Sequence, residues 1–479
     1  MPERDAVIVG SGPNGLAAAI ELARAGLSVR VVEGADTIGG GARSAALTLP
    51  GFTHDVCSAV YPMAAASPYL RTLPLDRYGL EWLHPPVPFA HPLDGGTAAV
   101  FRRSVDDTAA GLGEDADAYR RLLTPLVRAA DGLFADLLGP PFTIPRHPLA
   151  ALRFGLPGLR SGRGFAEAYF KTLEARALWA GVAAHAILPL ESRPGGAVAL
   201  MLGLAGHAHG WPVARGGAQA LTDALAGYFR SLGGEMETGR WVKSLADLPP
   251  ARAVLFDTSP RQLLAIAGDA LPAGYARRLR KYRHGPGVFK VDWALSAPVP
   301  WAAADVRGAG TVHVGGTLDE VAAAERAGFE GRHAEKPFVL FVQPGVIDPS
   351  RAPAGQNVGW GYCHVPPGGG EDMLPRIEAQ IERFAPGFRD VVIGRHVTTA
   401  AAMEAYNPNY VGGDISGGVT DLWQLFTRPV AKLDPYRTAN PRLWLCSSST
   451  PPGGGVHGMC GWAAARSVLR RLGATGDSP

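Results

Sequence analysis

The spacing of hydrophobic and polar positions switches period twice within the first forty residues. Ala6–Val9 is an uninterrupted apolar run, as in a parallel strand buried on both faces. A glycine-punctuated turn follows, then an Ala/Leu/Ile-rich stretch at helical spacing that ends at Gly26. Leu27–Val32 returns to strand character and stops at Glu33. Further on, Asp107–Ala135 carries apolar residues at helical period behind an acidic start, and Ala218–Ser231 and Glu371–Gly387 read as further helices. Strands are expected around Glu235–Val242 and in "ARAVLFDTSP" (Ala251–Pro260). Between Gly285 and Gly361, runs such as "GVFKVDWALSAPVPW" and "PFVLFVQPG" alternate with period two and are rich in Trp, Phe and Val. That predicts a mostly antiparallel sheet. Leu443–Cys446 predicts a last buried strand, and a closing helix starts near Gly458.

With 479 residues the chain exceeds one ordinary core, so two domains are expected. The fold class is α/β: a Rossmann-like dinucleotide-binding domain with a second α+β substrate domain. The first is assembled from residues 1–69, 211–280 and 431–479. The second combines a helical cap (70–210) with a sheet and helices (281–430) that would wall an apolar pocket.

Gly10, Gly12 and Gly15 supply G-x-G-x-x-G in its full context of strand, turn, helix, strand and acid. Gly10 permits the tight turn, Gly12 lets backbone approach a diphosphate, and Gly15 lets the helix pack close to the strand. Pro13 and Asn14 open the helix, whose free N–H groups face the phosphates. Glu33 can accept hydrogen bonds from ribose hydroxyls. Gly39, Gly40, Gly41 and Arg43 follow. This resembles the second glycine motif of the glutathione-reductase-type FAD proteins, in the branch of amine oxidases and phytoene desaturases. In amine oxidases an arginine directly follows the glycine pair; here Gly41 has that slot and Arg43 stands two places later. Gly315–Gly328 has glycines before a helix but not the spacing, so one dinucleotide site, for FAD, is expected and no separate NAD(P)H domain.

Composition narrows the field. The chain is 47% hydrophobic and 19% charged, with a formal net charge of +3 that gives no basic stripe for nucleic acid. Four cysteines without a Cys-x-x-Cys pair fit a reducing compartment rather than a disulfide framework. No apolar run reaches the length of a spanning helix and no signal segment precedes the first strand, so a cytoplasmic protein is expected. Leu137–Gly164, with short apolar pieces between arginines, reads as a cover over the substrate pocket or as a segment that could dip into a membrane surface. The oligomeric state is not readable.

Over nearly its whole length the chain resembles the phytoene-desaturase-related family of FAD oxidoreductases. Within it the likeness is greatest to the branch named after pyridine nucleotide-disulfide oxidoreductase domain-containing protein 2. The carriers are the N-terminal motif, "GVFKVDWALSAPVPW", "YNPNYVGGDISGG" (Tyr406–Gly418), "FTRPVAKLDPYRT" (Phe426–Thr438) and the closing "CSSSTPPGGGVHGMCG". The resemblance places Val242 against adenine, after Pro212 and Gly216-Gly217. It makes the closing stretch a flavin floor, with Ser448, Gly455, Val456, His457, Gly458 and Met459 at the cofactor. It implies dehydrogenation of a hydrophobic isoprenoid or polyene by hydride transfer to FAD, with oxygen or a quinone as acceptor. A saturase or isomerase, an amine-oxidase-like oxidase, and a prenyl-binding carrier without catalysis are the alternatives. Two departures weaken a carotenoid substrate: "HDVCSAVYP" keeps Asp55 but loses a Gly-Pro, and in "SSTPPGGGVHG" the histidine has moved to position 457.

Candidate catalytic residues are His457, Asp55 and Tyr362, with His364, Tyr410 and Asp414 as others on the substrate side. Each also has a structural reading: Asp55 as a loop-ordering acid, Asp414 as a turn cap, Tyr362 and His364 as pocket wall or core. His457 and Cys460 lack a second ligand pair, so no metal is expected. G-x-S-x-G is missing around Ser447–Ser449, which disfavours a serine nucleophile.

Overall fold

Strand β1 (Arg4–Val9), helix α1 (Pro13–Arg24) and strand β2 (Val29–Val32) form the opening βαβ unit of this computed structural model, which describes residues 4–140 and 144–474. β1 and β2 run parallel, Ala6 opposite Val29 through Val9 opposite Val32. The other strands of the two main sheets, in chain order, are β3 (Val87–Leu93), β4 (Thr97–Phe101), β5 (Glu235–Glu237), β6 (Ala251–Phe256), β7 (Gly287–Leu295), β8 (Ala309–Val314), β9 (Val339–Val342), β10 (Asn357–Val365), β11 (Val392–Thr398) and β12 (Leu443–Leu445). Five helices matter below: α2 (Pro148–Gly158), α3 (Gly195–Ala208), α4 (Gln219–Ser231), α5 (Leu422–Thr427) and α6 (Met459–Leu472).

A five-stranded, all-parallel sheet has the order β12-β6-β1-β2-β5, so three distant stretches of chain build one sheet. The second sheet has seven strands in the order β11-β7-β10-β9-β8-β3-β4 and is antiparallel except for the β8–β3 pair. This is the expected α/β architecture with a second, mostly antiparallel sheet.

Four local expectations change. The 70–210 region is not purely a helical cap, because β3 and β4 leave it to join the second sheet. β3 contains Pro88 and Pro92, which argue against a central strand, yet all seven of its residues are buried. The prolines are tolerated because each lies outside the pairing on one side. Pairing to β4 begins at Phe89, and pairing to β8 ends at Ala90. The helical stretch Asp107–Ala135 is broken into Val105–Ala110, Ala116–Arg128 and Ala130–Leu137, with the first break at Gly111–Gly113, where Gly113 has φ +56°. The strand expected to reach Val242 ends at Glu237, ahead of Gly239 at φ +71°. The helix read across Glu371–Gly387 is confined to Leu374–Phe384.

α1 and α6 cross in direct backbone contact. A Cβ on Gly461 would lie 1.8 Å from the Asn14 carbonyl oxygen and 3.0 Å from the Ala18 nitrogen. No rotamer can relieve a clash with backbone. Gly461→Ala should therefore destabilise the protein by about 3 kcal/mol or more. Gly274→Ala, in a helix where an added Cβ meets nothing within 4 Å, should be neutral or slightly stabilising. Thermal unfolding of the two variants beside the wild type checks both.

Candidate functional site

A cavity of about 400 Å³ lies between the sheets and has two chemically different ends. At the polar end its wall is Gly10, Gly12, Pro13 and Asn14 of the β1–α1 turn, then Glu33, then Gly40, Gly41 and Arg43. Arg240, Trp241 and Val242 extend that wall, and Ser447, Ser448, Ser449, Gly455 and Val456 form part of the floor. At the other end stand Tyr61, Met63, His185, Leu202, Trp211, Leu340, Trp360 and Tyr362.

The polar end is shaped by backbone. Gly10 adopts φ +102°, where an L side chain is strained. A Cβ on Gly15 would meet the Gly10 carbonyl at 2.4 Å, and one on Gly40 would meet the Gly12 Cα at 3.1 Å. The two glycine segments thus rest on each other and leave their amides for a ligand. Asn14 Oδ1 is buried there without a partner. A bare backbone cradle, an unpartnered amide side chain and an acid at the end of β2 fit a bound dinucleotide.

Glu33 and Arg43 are tied to each other as well as to the cavity. Glu33 accepts hydrogen bonds from the Ser11 N–H at 2.9 Å, the Ser11 hydroxyl at 2.6 Å and the Ala35 N–H at 2.9 Å, and pairs with Arg43 Nη2 at 3.3 Å. Arg43 also donates to the Thr37 and Ile38 carbonyls and lies 5.7 Å from the Tyr406 ring centroid. Its first task here is to pin the 37–38 loop.

Asp257 follows β6 and is the residue the sequence reading did not mark. Its Oδ2 accepts the Gly15 N–H at 2.9 Å and lies where a Cβ on Gly12 would be 2.5 Å away. A carboxylate thus stands at the amino end of α1. Burial, reinforced by the charge of Glu33, pushes its pKa up to about 7, against the pull of the Gly15 and Gly12 amides.

The aromatic end is supported from behind. Trp360 and Tyr362 alternate on β10, with ring centroids 5.3 Å apart at 86°. Trp360 Nε1 donates to the Asp55 carbonyl at 2.9 Å. Lys290 and Asp292 form a buried ion pair on β7, and Lys290 Nζ lies 5.6 Å from the Trp360 ring centroid. His185 Nε2 is 3.0 Å from His313 Nε2, which leaves Nδ1 as the nitrogen open to the cavity. Burial lowers the His185 pKa to about 3, so the ring is neutral.

The comparisons with known proteins agree with this geometry. A family model for an NAD(P)-binding Rossmann-like domain matches residues 8–73, the stretch that carries the glycine turn and Glu33. Over 98% of its length the chain is 28% identical to pyridine nucleotide-disulfide oxidoreductase domain-containing protein 2 of Mus musculus, covering 94% of that protein; the Rattus norvegicus protein matches equally. Among solved structures, a putrescine oxidase variant from a redesign of cofactor binding superposes with a TM-score of 0.65 at 18% identity over 99% of both chains. Cyclohexylamine oxidase from Brevibacterium oxydans IH-35A gives 0.58 at 18% identity, over 98% of this chain and 100% of that one. The chain thus carries a Rossmann-like domain and shares the overall fold of these two oxidases.

Of the residues picked out from the sequence, Gly10, Gly12, Pro13, Asn14, Glu33, Gly40, Gly41, Arg43, Val242, Ser448, Gly455, Val456, Tyr362 and Tyr410 line the cavity. Gly15 lies behind the turn as a packing residue. Asp55 does not reach the cavity. It is held by Arg351 at 2.6 Å, the Ser44 hydroxyl at 2.9 Å and the Ala218 N–H at 2.7 Å, which commits it to ordering its loop. His457 also lies behind the floor. Its Nδ1 accepts the Met459 N–H at 3.1 Å at the start of α6, and burial lowers its pKa to about 4. It serves as a neutral cap for that helix, and Gly458 and Met459 sit behind the cavity with it. His364 pairs with Glu325 at 2.8 Å, and Asp414 accepts from the Gly285 and Ser416 N–H groups, both away from the cavity wall. Among the described residues no group of three His, Cys, Asp or Glu is arranged for a metal ion.

Two signals could have found the overlooked residues. Lys290 and Asp292 share one face of an otherwise apolar strand, and Asp257 stands at the carboxyl end of a parallel strand, where α/β ligand sites form.

The Asp257 shift has a defined sign. Its folded pKa of about 7 lies above the ordinary 3.8, so the protonated form is favoured in the fold. This contribution to stability is full below the ordinary value and is lost as pH rises through 7. Asp257→Asn in the ligand-free protein should gain on the wild type by about 2–3 kcal/mol between pH 5 and pH 8, read from denaturant unfolding at both pH values.

Proposed function

We propose that this protein binds FAD along the cavity and dehydrogenates a hydrophobic small molecule held at the aromatic end. One observation carries the reading: a single cavity joins a dinucleotide cradle to an aromatic slot. When bound, FAD would supply a hydride acceptor. Glu33 would take the ribose, the amides of the Gly10–Gly15 turn and Asn14 the diphosphate, and the hydroxyls of Ser447–Ser449 the chain leading to the ring. Val242 would lie by the adenine.

The chain's own groups then define the slot. Trp211, Leu340, Trp360 and Tyr362 exclude water from the reacting carbon. Burial holds the Tyr362 phenol well above its usual pKa, so it stays protonated. His185, neutral and oriented by His313, offers Nδ1 as the acceptor for a proton lost with the hydride.

An apolar substrate is favoured over a cationic amine. Both carboxylates on the cavity wall, Glu33 and Asp257, stand at the polar end, and among the described residues none lines the aromatic end to hold an ammonium group. An isoprenoid or polyene suits such a slot. Electrons would pass to oxygen or a quinone, because the chain offers no second dinucleotide motif.

The purified protein should be yellow. Anaerobic mixing with an isoprenoid or polyene should bleach its flavin band, and bleaching by amines alone would sink the substrate class. His185→Ala should keep FAD and slow bleaching by about a hundredfold. Gly12→Val should purify colourless, since its side chain would fill the diphosphate cradle.

A further inference from the structure

Helix α2 presents its apolar face outward. Leu149, Leu152, Leu156 and Leu159 follow a 3-4-3 spacing and are 74%, 57%, 64% and 52% exposed, while Phe154, Pro157 and Gly158 on the opposite side are buried. Apolar side chains are thus left uncovered on a surface helix that is apolar nearly all round. Helix α5 does the same with Trp423, 74% exposed, and Phe426, 54% exposed. The two lie on either side of one loop. The Arg160 carbonyl accepts from Gly196 at 3.0 Å, and the Arg193 carbonyl accepts from Leu422 at 3.2 Å.

The unpaired charges around this face are basic. Residues 137–166 contain four arginines and no acid. Arg153, Arg160 and Arg193 are exposed and form no ion pair among the described residues. The nearby acids are already taken: Glu191 pairs with Arg163 and Arg326, and Asp421 with Arg283.

From these features we infer that α2 and α5 form a docking face for an anionic lipid bilayer. Leucines, a tryptophan and a phenylalanine suit the boundary between acyl chains and headgroups, and the free guanidinium groups suit lipid phosphates. A second copy of the chain would bring the same arginines against one another across a two-fold axis, which opposes self-association there. Among the described residues no helix is long and apolar enough to cross a membrane, so the contact is peripheral. His185 lines the cavity eight residues before Arg193, and Gly417 lines it five residues before Leu422. The inference rests on the surface alone and stands or falls apart from the redox reading.

The test is flotation of the full-length protein with vesicles of phosphatidylcholine alone and of phosphatidylcholine mixed with phosphatidylglycerol. Wild type should float with the mixed vesicles, and less so as salt is raised. Leu152→Gln/Leu156→Gln and Trp423→Gln/Phe426→Gln should each weaken partitioning about tenfold or more. Arg153→Gln/Arg160→Gln/Arg193→Gln should remove the salt-sensitive part while leaving the circular dichroism melt unchanged. Failure of the wild type to float, or equal flotation of all three variants, would overturn the proposal. So would light scattering that shows a wild-type oligomer made monomeric by the leucine and tryptophan variants with vesicle binding intact.

Discussion

The structure depends on backbone meeting backbone at the first turn of α1. Gly15 lies on the Gly10 carbonyl and Gly461 on Asn14, each at a distance that leaves no room for a Cβ, and Gly40 packs tightly on Gly12. Three segments from opposite parts of the sequence therefore converge on four residues. A side chain at any of these points would separate layers that must touch for the parallel sheet, the second glycine segment and α6 to share one surface. The same lack of side chains gives the glycine turn at the polar end its character, because there backbone amides and carbonyls face a ligand, with Asn14, Glu33 and Asp257 around them. The specificity of that end is set by sterics before it is set by charge.

Charge is handled by pairing in the interior and by partition in the cavity. Asp55–Arg351 and Lys290–Asp292 are ion pairs with both partners almost wholly buried, and His364–Glu325 is a third such pair if its imidazole is protonated. Removing one member of such a pair leaves an uncompensated charge in a low dielectric; Asp55–Arg351 and His364–Glu325 tie distant segments together, whereas Lys290–Asp292 lies within β7. Asp55 shows how this reaches the site: its carboxylate holds Arg351 and its carbonyl holds the Trp360 indole. The cavity itself is divided. Acids stand near the glycine turn, whereas at the aromatic end burial keeps His185 neutral and Tyr362 protonated. An apolar substrate and a charged diphosphate can then occupy one cavity without sharing an electrostatic environment.

What was legible in the sequence follows from how local each determinant is. The glycine turn, Glu33 and the alternating strands are written in consecutive residues, and the α/β fold follows from them. β3 was hidden because two prolines mask a strand whose acceptability depends on where its neighbours stop pairing. Asp257 was hidden because a carboxylate at the end of β6 acquires meaning only when β1 lies beside it. His457 shows the opposite error. Its place in a glycine-rich stretch near the expected cofactor suggested catalysis, but its ring turns to the Met459 amide and caps a helix. Sequence proximity located the floor correctly and could not say which side of it each ring occupies.

The geometry of the aromatic end bears on how a substrate would arrive. A water-soluble amine can diffuse to a mouth anywhere on the surface, whereas an apolar molecule large enough to fill a slot of tryptophan and tyrosine spends little time free in water. The segments that begin at His185 and Gly417 on the cavity wall run on to Arg193 and Leu422, which hydrogen-bond to each other at the start of α5, and α2 and α5 leave leucines and aromatic rings uncovered. Burying that face in lipid would remove its exposed apolar area from water and bring a reservoir of hydrophobic molecules to the same side of the protein. Under the function proposed above, the outward leucines of α2 and the acid-free wall of the slot would serve one substrate, one that partitions into the bilayer.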